Sequence, residues 1–202
     1  DHELHGQFDF PLYYAIRSAF AHGGSFRDLA GTVAANEAAW GDGLMSPFLG
    51  NHDIPRFATD VTGQSGDCWS GSTVDPMASG GTSVTEWDVI NKLTLGFAFT
   101  LTQPGVPLIY YGDEIGLHGG GDPDNRRPMS FEPYLSANQT TLRDRVRAIG
   151  LARAQSTALR RGERRQLWVD DDLLIYALDN GGGDVAIVAL NKSGSTRTES
   201  VD

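Results

Sequence analysis

Two short runs of apolar residues constrain the fold more than any other feature of this sequence. They cover residues 45–49 and 106–111, and polar side chains and glycines directly follow each of them. A run that is apolar throughout, rather than at alternate positions, is typical of a strand buried on both faces in a parallel sheet covered by helices. We therefore expect an α/β fold in which both runs are adjacent parallel strands.

Helical patterns separate these strands along the chain. The predicted helices cover residues 13–20, 26–39, 85–102 and 141–161. Thr85 and Asp88 resemble a capping box, and Gly162 is expected as the C′ residue of the last helix. Residues 7–12 are a third strand candidate, although Pro11 discourages a central position. The order strand, helix, strand, helix, strand, helix implies right-handed βαβ units.

The pattern changes after Gly162. Three short strand-like segments, joined by acidic or glycine-rich turns, cover residues 166–169, 173–178 and 185–190. Such spacing predicts an antiparallel meander, so we place a domain boundary near residue 163. Residues 63–81 are rich in Gly, Ser and Asp and are predicted to form a long loop, which in a compact domain is usually functional or disordered.

The sharpest local signal is FLGNHDIPR at residues 48–56, where a buried strand leads into polar side chains. Ligands bind at the C-terminal ends of strands in parallel α/β sheets. Asp53 could stabilise developing positive charge there, and His52 could bond to a sugar hydroxyl. In the alternative, Asn51 and Asp53 cap a turn and Arg56 pairs with an acid. The spacing alone leaves both interpretations open.

A second polar cluster follows the second apolar run, as YYGDEIG at residues 110–116 and GGGDPDNRR at residues 119–127. Aromatic faces can stack on sugar rings, and the planar guanidinium of Arg can bind vicinal hydroxyls. In the alternative, Asp113 or Glu114 pairs internally with an arginine of the second segment. A calcium site is a further possibility, but the ligand spacing does not match the EF-hand pattern.

Together these motifs resemble glycoside hydrolase family 13, the α-amylase family. Residues 48–56 look like its fourth signature region, F-L-x-N-H-D-x-P-R. Residues 104–114 are similar to its eighth barrel strand and the exit from it, residues 122–126 to its D-P-x-N-R loop, and residues 8–12 to its sixth strand. The family also follows its barrel with a small antiparallel β-domain, so the resemblance extends over essentially the whole chain.

The resemblance implies a partial TIM (β/α)8 barrel. Residues 1–162 would supply its sixth to eighth βα units, and residues 163–202 would begin the C-terminal antiparallel β-domain. Asp53 matches the catalytic acid that stabilises the transition state without being nucleophile or proton donor.

The resemblance also implies which residues bind substrate. His52 matches a residue that hydrogen-bonds the same sugar as Asp53, and Asn51 belongs to the same triplet. Asp122 and Arg126 match residues that hold a glucose unit further toward the non-reducing end. No metal ligand is expected among these residues.

Other parts of the expected machinery are missing. Retaining glycosidases need an acid/base and a nucleophile roughly 5–5.5 Å apart, and in this family both would lie on earlier strands. Asp1, Glu3 and Asp9 cannot substitute, because none lies in the corresponding strand-end motif. The sequence begins without Met, and we expect it to start within a longer protein. The resemblance implies no cofactor in this chain and a possible calcium ion in its full-length parent.

The implied function is retaining hydrolysis of α-1,4-glucosidic bonds in starch or maltooligosaccharides. The implied partners are an α-glucan and the rest of the barrel. Alternatives are a cyclomaltodextrinase, an oligo-1,6-glucosidase or a glucanotransferase on the same barrel. A catalytically inactive binding subunit is an alternative of another class, although such subunits tend to lose the catalytic acids and Asp53 is present here.

Composition excludes several other classes of function. A net charge of -10 and a pI near 4.8 argue against binding to nucleic acid or to anionic lipid. No run of 18 apolar residues exists, so no membrane span is expected. Cys68 is the only cysteine, which rules out an intrachain disulfide. The location is unknown from the sequence, and we expect it to be extracellular or periplasmic rather than cytoplasmic.

Overall fold

The structure, a computed structural model, describes residues 6–41, 43–63 and 86–201. Its N-terminal part is organised on parallel extended segments. Strand β1 (Gly6–Phe8) pairs in parallel with β2 (Leu44–Ser46). The ladder is short because Pro47 follows β2 and has no backbone N–H to donate. The predicted strand over residues 45–49 is therefore only partly regular.

The second apolar run joins this sheet as an extended segment rather than as a full strand. The amides of Val106 and Leu108 donate to the carbonyls of Met45 and Pro47, both at 2.9 Å. Leu108 also forms an isolated parallel bridge with Phe48. The prediction of a strand as far as residue 111 is wrong in extent, because the chain bends into a turn beyond Leu108. The expected parallel order of the three segments is confirmed.

Gly105 permits the close approach of this segment to β2. Its φ is +102°, and a Cβ atom placed on it would lie 2.2 Å from the carbonyl oxygen of Met45. A side chain would clash with backbone that cannot move without breaking the sheet, so only glycine fits here. Arg153 reinforces the same corner by donating from Nη2 to the Gly105 carbonyl at 2.8 Å.

The chain between and after the parallel segments, as far as Gly162, is mostly helical. The helices are α1 (Phe10–Ile16), α2 (Phe26–Trp40), α3 (Phe57–Val61), α4 (Glu86–Thr100), α5 (Ala137–Gln155) and α6 (Thr157–Arg161). The short helix α3 was not predicted. The predicted cap residue Thr85, the loop beyond Gly63 and Cys68 lie outside the described residues.

The start of α1 corrects the prediction of a strand over residues 7–12. The Asp9 carboxylate accepts a hydrogen bond from the amide of Leu12 at 3.0 Å and so caps the helix. Pro11 lies in the first helical turn, where its missing N–H costs nothing. The helix continues into a π-helical turn, Arg17–Ala21.

The last predicted helix, over residues 141–161, is two helices. Ser136 and Gln139 form a capping box that starts α5 earlier than expected. Ser156 has an extended backbone and breaks the helix, and its hydroxyl then caps α6. Gly162 is not the expected left-handed C′ residue, since its φ is -68°. A Cβ at this position would instead approach the carbonyl oxygen of Ala158 to 2.6 Å.

The C-terminal part is an antiparallel sheet in the order β3 (Glu163–Val169), β4 (Leu173–Asp179), β5 (Val185–Asn191), which confirms the predicted meander. Its inner face shares one apolar core with the helices: Tyr176 is fully buried and its hydroxyl lies 2.5 Å from that of Thr102. The domain boundary near residue 163 stays a prediction, because the core continues across it.

In the part of the chain that the structure describes, the helices lack the combination of length and apolarity that a membrane span requires.

Candidate functional site

The Asn51–Asp53 triplet forms a tight turn at the end of the second parallel segment. The Asn51 side-chain oxygen accepts a hydrogen bond from the amide of Asp53 at 2.8 Å. This is the turn-capping arrangement that the sequence left open for Asn51. It leaves His52 and Asp53 pointing to solvent, with side chains 64% and 67% exposed. His52 Nε2 lies 3.2 Å from Asp53 Oδ1.

The second polar cluster meets this turn through Arg126. Its Nε lies 3.0 Å from Asp122 Oδ1, and its Nη2 lies 4.0 Å from Asp53 Oδ1. The same Nε is 3.3 Å from the carbonyl oxygen of His52. The structure thus brings Asp53, His52, Asp122 and Arg126 together on one exposed rim. Their roles in substrate binding and catalysis stay predictions.

The sequence did not single out Asn125, which lies between the two loops and is fully buried. Its side-chain amide donates to the carbonyl oxygens of His52 at 2.8 Å and Ile54 at 2.9 Å. The only signal that could have indicated it is its place between Asp122 and Arg126 in the D-P-x-N-R motif.

Arg56 is the buried centre of the site. Its Nε donates to the carbonyl of Asn125 at 2.7 Å, and its Nη1 donates to Asp113 at 2.9 Å and to the carbonyl of Tyr111. The guanidinium lies over the rings of Tyr110 and Tyr111, 4.1 and 4.6 Å from their centres. Cation–π contacts of this kind favour a desolvated arginine. The alternative in which Arg56 pairs with an acid is confirmed.

Asp113 pairs with Arg56. The alternative interpretation, in which Asp113 pairs with an arginine of the second polar segment, is wrong. Of the two arginines considered there, Arg126 instead lies 3.0 Å from Asp122 and Arg127 lies 2.8 Å from Asp124. Burial raises the pKa of Asp113 from 3.8 to about 6, and the charge of Arg56 opposes this rise only in part. Gly50 makes room for the carboxylate, since a Cβ there would lie 2.4 Å from Asp113 Oδ2.

Metal binding finds no support in this part of the molecule. Within residues 6–41, 43–63 and 86–201, no three His, Cys, Asp or Glu side chains are grouped so that they could hold an ion. The acidic glycine loop considered as a calcium site is instead organised by Asp124, which accepts from the amide of Gly120 at 2.7 Å and pairs with Arg127. The rim itself presents an exposed carboxylate flanked by an imidazole and a guanidinium.

The chain is similar in sequence to known enzymes of several kinds. A β/α-amylase of Paenibacillus polymyxa is 31% identical over 198 residues, which are 98% of the chain and 14% of that protein. A cyclomaltodextrinase of Geobacillus thermopakistaniensis is 34% identical over 78% of the chain and 21% of that protein. A cyclomaltodextrin glucanotransferase of Bacillus sp. (strain 38-2) is 33% identical over 74% and 16%. The chain thus spans about a fifth or less of each. No protein-family model matches it.

Solved structures of α-amylases are also similar to the chain. An α-amylase from Anoxybacillus superposes with a TM-score of 0.72 at 29% identity, over 92% of the chain and 36% of that structure. An α-amylase from Geobacillus thermoleovorans, solved in complex with acarbose, superposes with a TM-score of 0.71 at 27% identity, over 91% and 36%. Both matches cover more than nine tenths of the chain.

Proposed function

Because this chain belongs to the α-amylase family, glycoside hydrolase family 13, we propose that it is part of an enzyme that cleaves α-1,4-glucosidic bonds of starch or maltooligosaccharides with retention of configuration. The observation that carries this proposal is the rim itself. Asp53 is exposed at the end of a parallel segment, with His52 at 3.2 Å and Arg126 at 4.0 Å. Ligands bind at this end of the strands in (β/α) barrels.

We assign β1, β2 and the segment around Leu108 to the sixth, seventh and eighth strands of a (β/α)8 barrel. The parallel order of the three segments supports this assignment, and so does the position of the polar clusters after the second and third. Three strands cannot close a barrel. The remaining strands, with the nucleophile and the acid/base, would come from the rest of the full-length protein.

Exposed apolar side chains along the parallel segments support the proposal that the remaining barrel strands pack against them. Large apolar residues that are at least 40% exposed include Phe8, Phe10, Leu44, Val106 and Ile109. They lie on or next to the three extended segments, where a covering layer is expected in an α/β fold. The proposed partner is therefore the remainder of the same barrel.

In the proposed mechanism the Asp53 carboxylate stabilises positive charge that develops on the sugar. The sugar ring gains positive charge as the glycosidic bond breaks, and a preorganised carboxylate stabilises that charge. His52 would bond to a hydroxyl of the same sugar. Asp122 and Arg126, 3.0 Å apart, present an acceptor beside a planar donor, which suits neighbouring hydroxyls of a second glucose unit.

Two other members of the family are the second candidates. The cyclomaltodextrinase and glucanotransferase relatives are as similar to the chain as the amylases are, and they favour activity on cyclic substrates or glucosyl transfer. A catalytically inactive binding subunit is less well supported, because the Asp53 rim is complete within this chain.

The test uses the full-length protein with maltoheptaose and with β-cyclodextrin. Early products are separated by chain length, and their anomeric configuration is followed by proton NMR. Linear α-anomeric products support the hydrolase, ring opening of β-cyclodextrin favours the cyclomaltodextrinase, and cyclic or lengthened products favour the glucanotransferase. Binding of maltoheptaose without any turnover would overturn the enzymatic proposal and leave the binding subunit.

A further inference from the structure

Asp53 depends on its backbone for its position. Its side chain is two-thirds exposed, with one nitrogen of His52 at 3.2 Å and the guanidinium of Arg126 only at 4.0 Å. An exposed carboxylate with few close contacts takes its average position mainly from the main chain that carries its Cα. What fixes that main chain therefore decides where the carboxylate lies.

A single buried amide fixes it. The Asn125 side chain donates to the carbonyl oxygen of the residue before Asp53 (His52, 2.8 Å) and to that of the residue after it (Ile54, 2.9 Å). The amide of Asp53 itself is held by Asn51 at 2.8 Å. The peptide unit between His52 and Asp53 is thus held at both its carbonyl and its amide, and the chain is held again at the carbonyl of Ile54.

Asn125 is in turn held rigidly. It is fully buried, its own carbonyl accepts from Arg56 at 2.7 Å, and it lies in the short 3-10 turn Asp124–Arg126. Loss of its amide would leave two partly buried carbonyls without their donor. The next residue along the turn, Arg126, faces Asp53, so one turn sets both the backbone under Asp53 and the arginine beside it.

We propose that Asn125 is a positioning residue for Asp53: it bonds to the carbonyls of His52 and Ile54, the residues before and after Asp53, and so sets the place of that carboxylate at the reacting sugar. This inference rests on the proposed function, in which Asp53 stabilises the transition state. A displacement of about 1 Å in such a group can cost on the order of a hundredfold in rate.

The first variant is Asn125→Leu in the full-length protein, which keeps the volume and removes both donors. Thr102→Val is the matched control. It also removes a buried hydrogen bond, to Tyr176 at 2.5 Å, but in the core and away from the rim. On maltotriose, Asn125→Leu should lower kcat by at least about tenfold and change KM by less than about threefold. Thr102→Val should keep kcat within about twofold at a comparable loss in Tm.

The second variant is Asn125→Asp, which keeps the shape and turns both donors into acceptors against the two carbonyls. A protonated carboxyl can donate one hydrogen bond again. The ratio of the variant's kcat to that of the wild type should therefore rise as pH falls. A structural defect alone would give a ratio that does not recover.

Hydrogen exchange of the amides of residues 52–54 separates this inference from the proposed function. If the wild type is inactive, the proposed function fails, but faster exchange at these amides in Asn125→Leu and not in Thr102→Val still supports the restraint. Unchanged exchange, a kcat within twofold of the wild type in Asn125→Leu, or an equal loss of kcat in the control overturns it.

Discussion

At the scale of single residues, the exposed side chains of the site are available to a substrate, and the buried ones hold its main chain. Asp53, His52, Asp122 and Arg126 face solvent, where they can meet a substrate. Arg56 and Asn125 have no exposed surface and bond mainly to main-chain carbonyls. Exchanging an exposed member should therefore alter function with little effect on folding.

Asp53→Asn in the full-length protein tests the exposed group. The amide keeps the shape but loses the charge that is proposed to act only at the transition state, so the loss should appear in kcat and not in KM. We expect kcat to fall by at least about a hundred- to a thousandfold, with Tm nearly unchanged. Steady-state kinetics on maltotriose and thermal unfolding check both parts.

Arg126→Ala is its counterpart at the distant sugar position. If the proposed second glucose position is right, it should mostly raise KM for maltoheptaose and spare maltotriose, because a short substrate would not reach that position. If Asp53→Asn kept a near-normal kcat, or if Arg126→Ala lowered kcat on maltotriose just as strongly, the division of roles between the two residues would be wrong.

The buried carboxyl group of Asp113 should make the free energy of unfolding depend on pH. Its pKa is about 6 in the folded protein against 3.8 ordinarily. Between these values the folded state holds a proton that the unfolded chain does not, so this group's contribution to stability increases as pH falls from about 7 to about 4. A shift of about two pKa units corresponds to roughly 3 kcal/mol.

The measurement is urea unfolding of the wild type and of Asp113→Asn across this range. The stability of the wild type relative to the variant should rise as pH falls. Asp184 is a control of opposite sign, because its hydrogen bond from the amide of Ala158 lowers its pKa. The stability of the wild type relative to Asp184→Asn should fall below about pH 4. A carboxyl carbon of Asp113 that titrates near 4 would contradict the prediction.

That the exposed residues lie together at one rim could be predicted from the sequence, but most contacts of the buried residues could not. Asp53 and Arg126 stand in polar motifs that follow apolar runs, which is a local signal. The bonds of Asn125 join residues 73 and 71 positions apart in sequence. No local pattern reports which distant carbonyl a buried amide will reach. Arg56 was foreseen as an ion-pair partner, but not its place between two tyrosine rings.

At the scale of elements, regular patterns were predicted well and their interruptions were not. The helix α2 and the strands β3, β4 and β5 follow strong periodic patterns and lie within a few residues of the prediction. The third parallel segment and the break at Ser156 depend on contacts with other parts of the chain. Ser156, for example, bonds to Asp184, which lies 28 positions away.

Gly105→Ala tests the tight approach of the third segment to β2. The methyl group would clash with the Met45 carbonyl at a positive φ, and we expect a loss of on the order of 2–4 kcal/mol in the free energy of unfolding. Gly150→Ala is the control, because Gly150 lies within α5 with no atom within 4 Å of an added Cβ. It should stabilise by about 0.5–1 kcal/mol. Equal effects in denaturant unfolding would show that the approach is not tight.

At the scale of the whole molecule, the 202 residues hold one side of a proposed active site. Expressed alone, the chain should show no measurable turnover of soluble starch or maltoheptaose, because the proposed nucleophile and acid/base belong to the rest of the protein. The assay compares it with the full-length protein and with a blank without enzyme. Turnover clearly above the blank would show that the chain contains a complete active site.

The bonds of Arg56 have a consequence for how such a site can diversify. Two of its hydrogen bonds go to the main-chain carbonyls of Tyr111 and Asn125, and every amino acid carries such a carbonyl. The side chains exposed around that frame, such as Asp122, can therefore mutate without loosening the arginine's hold on either loop. Proteins that keep these bonds of Arg56 could change substrate through mutations of the exposed side chains. A combinatorial library that varies only those exposed positions should therefore yield mostly folded variants.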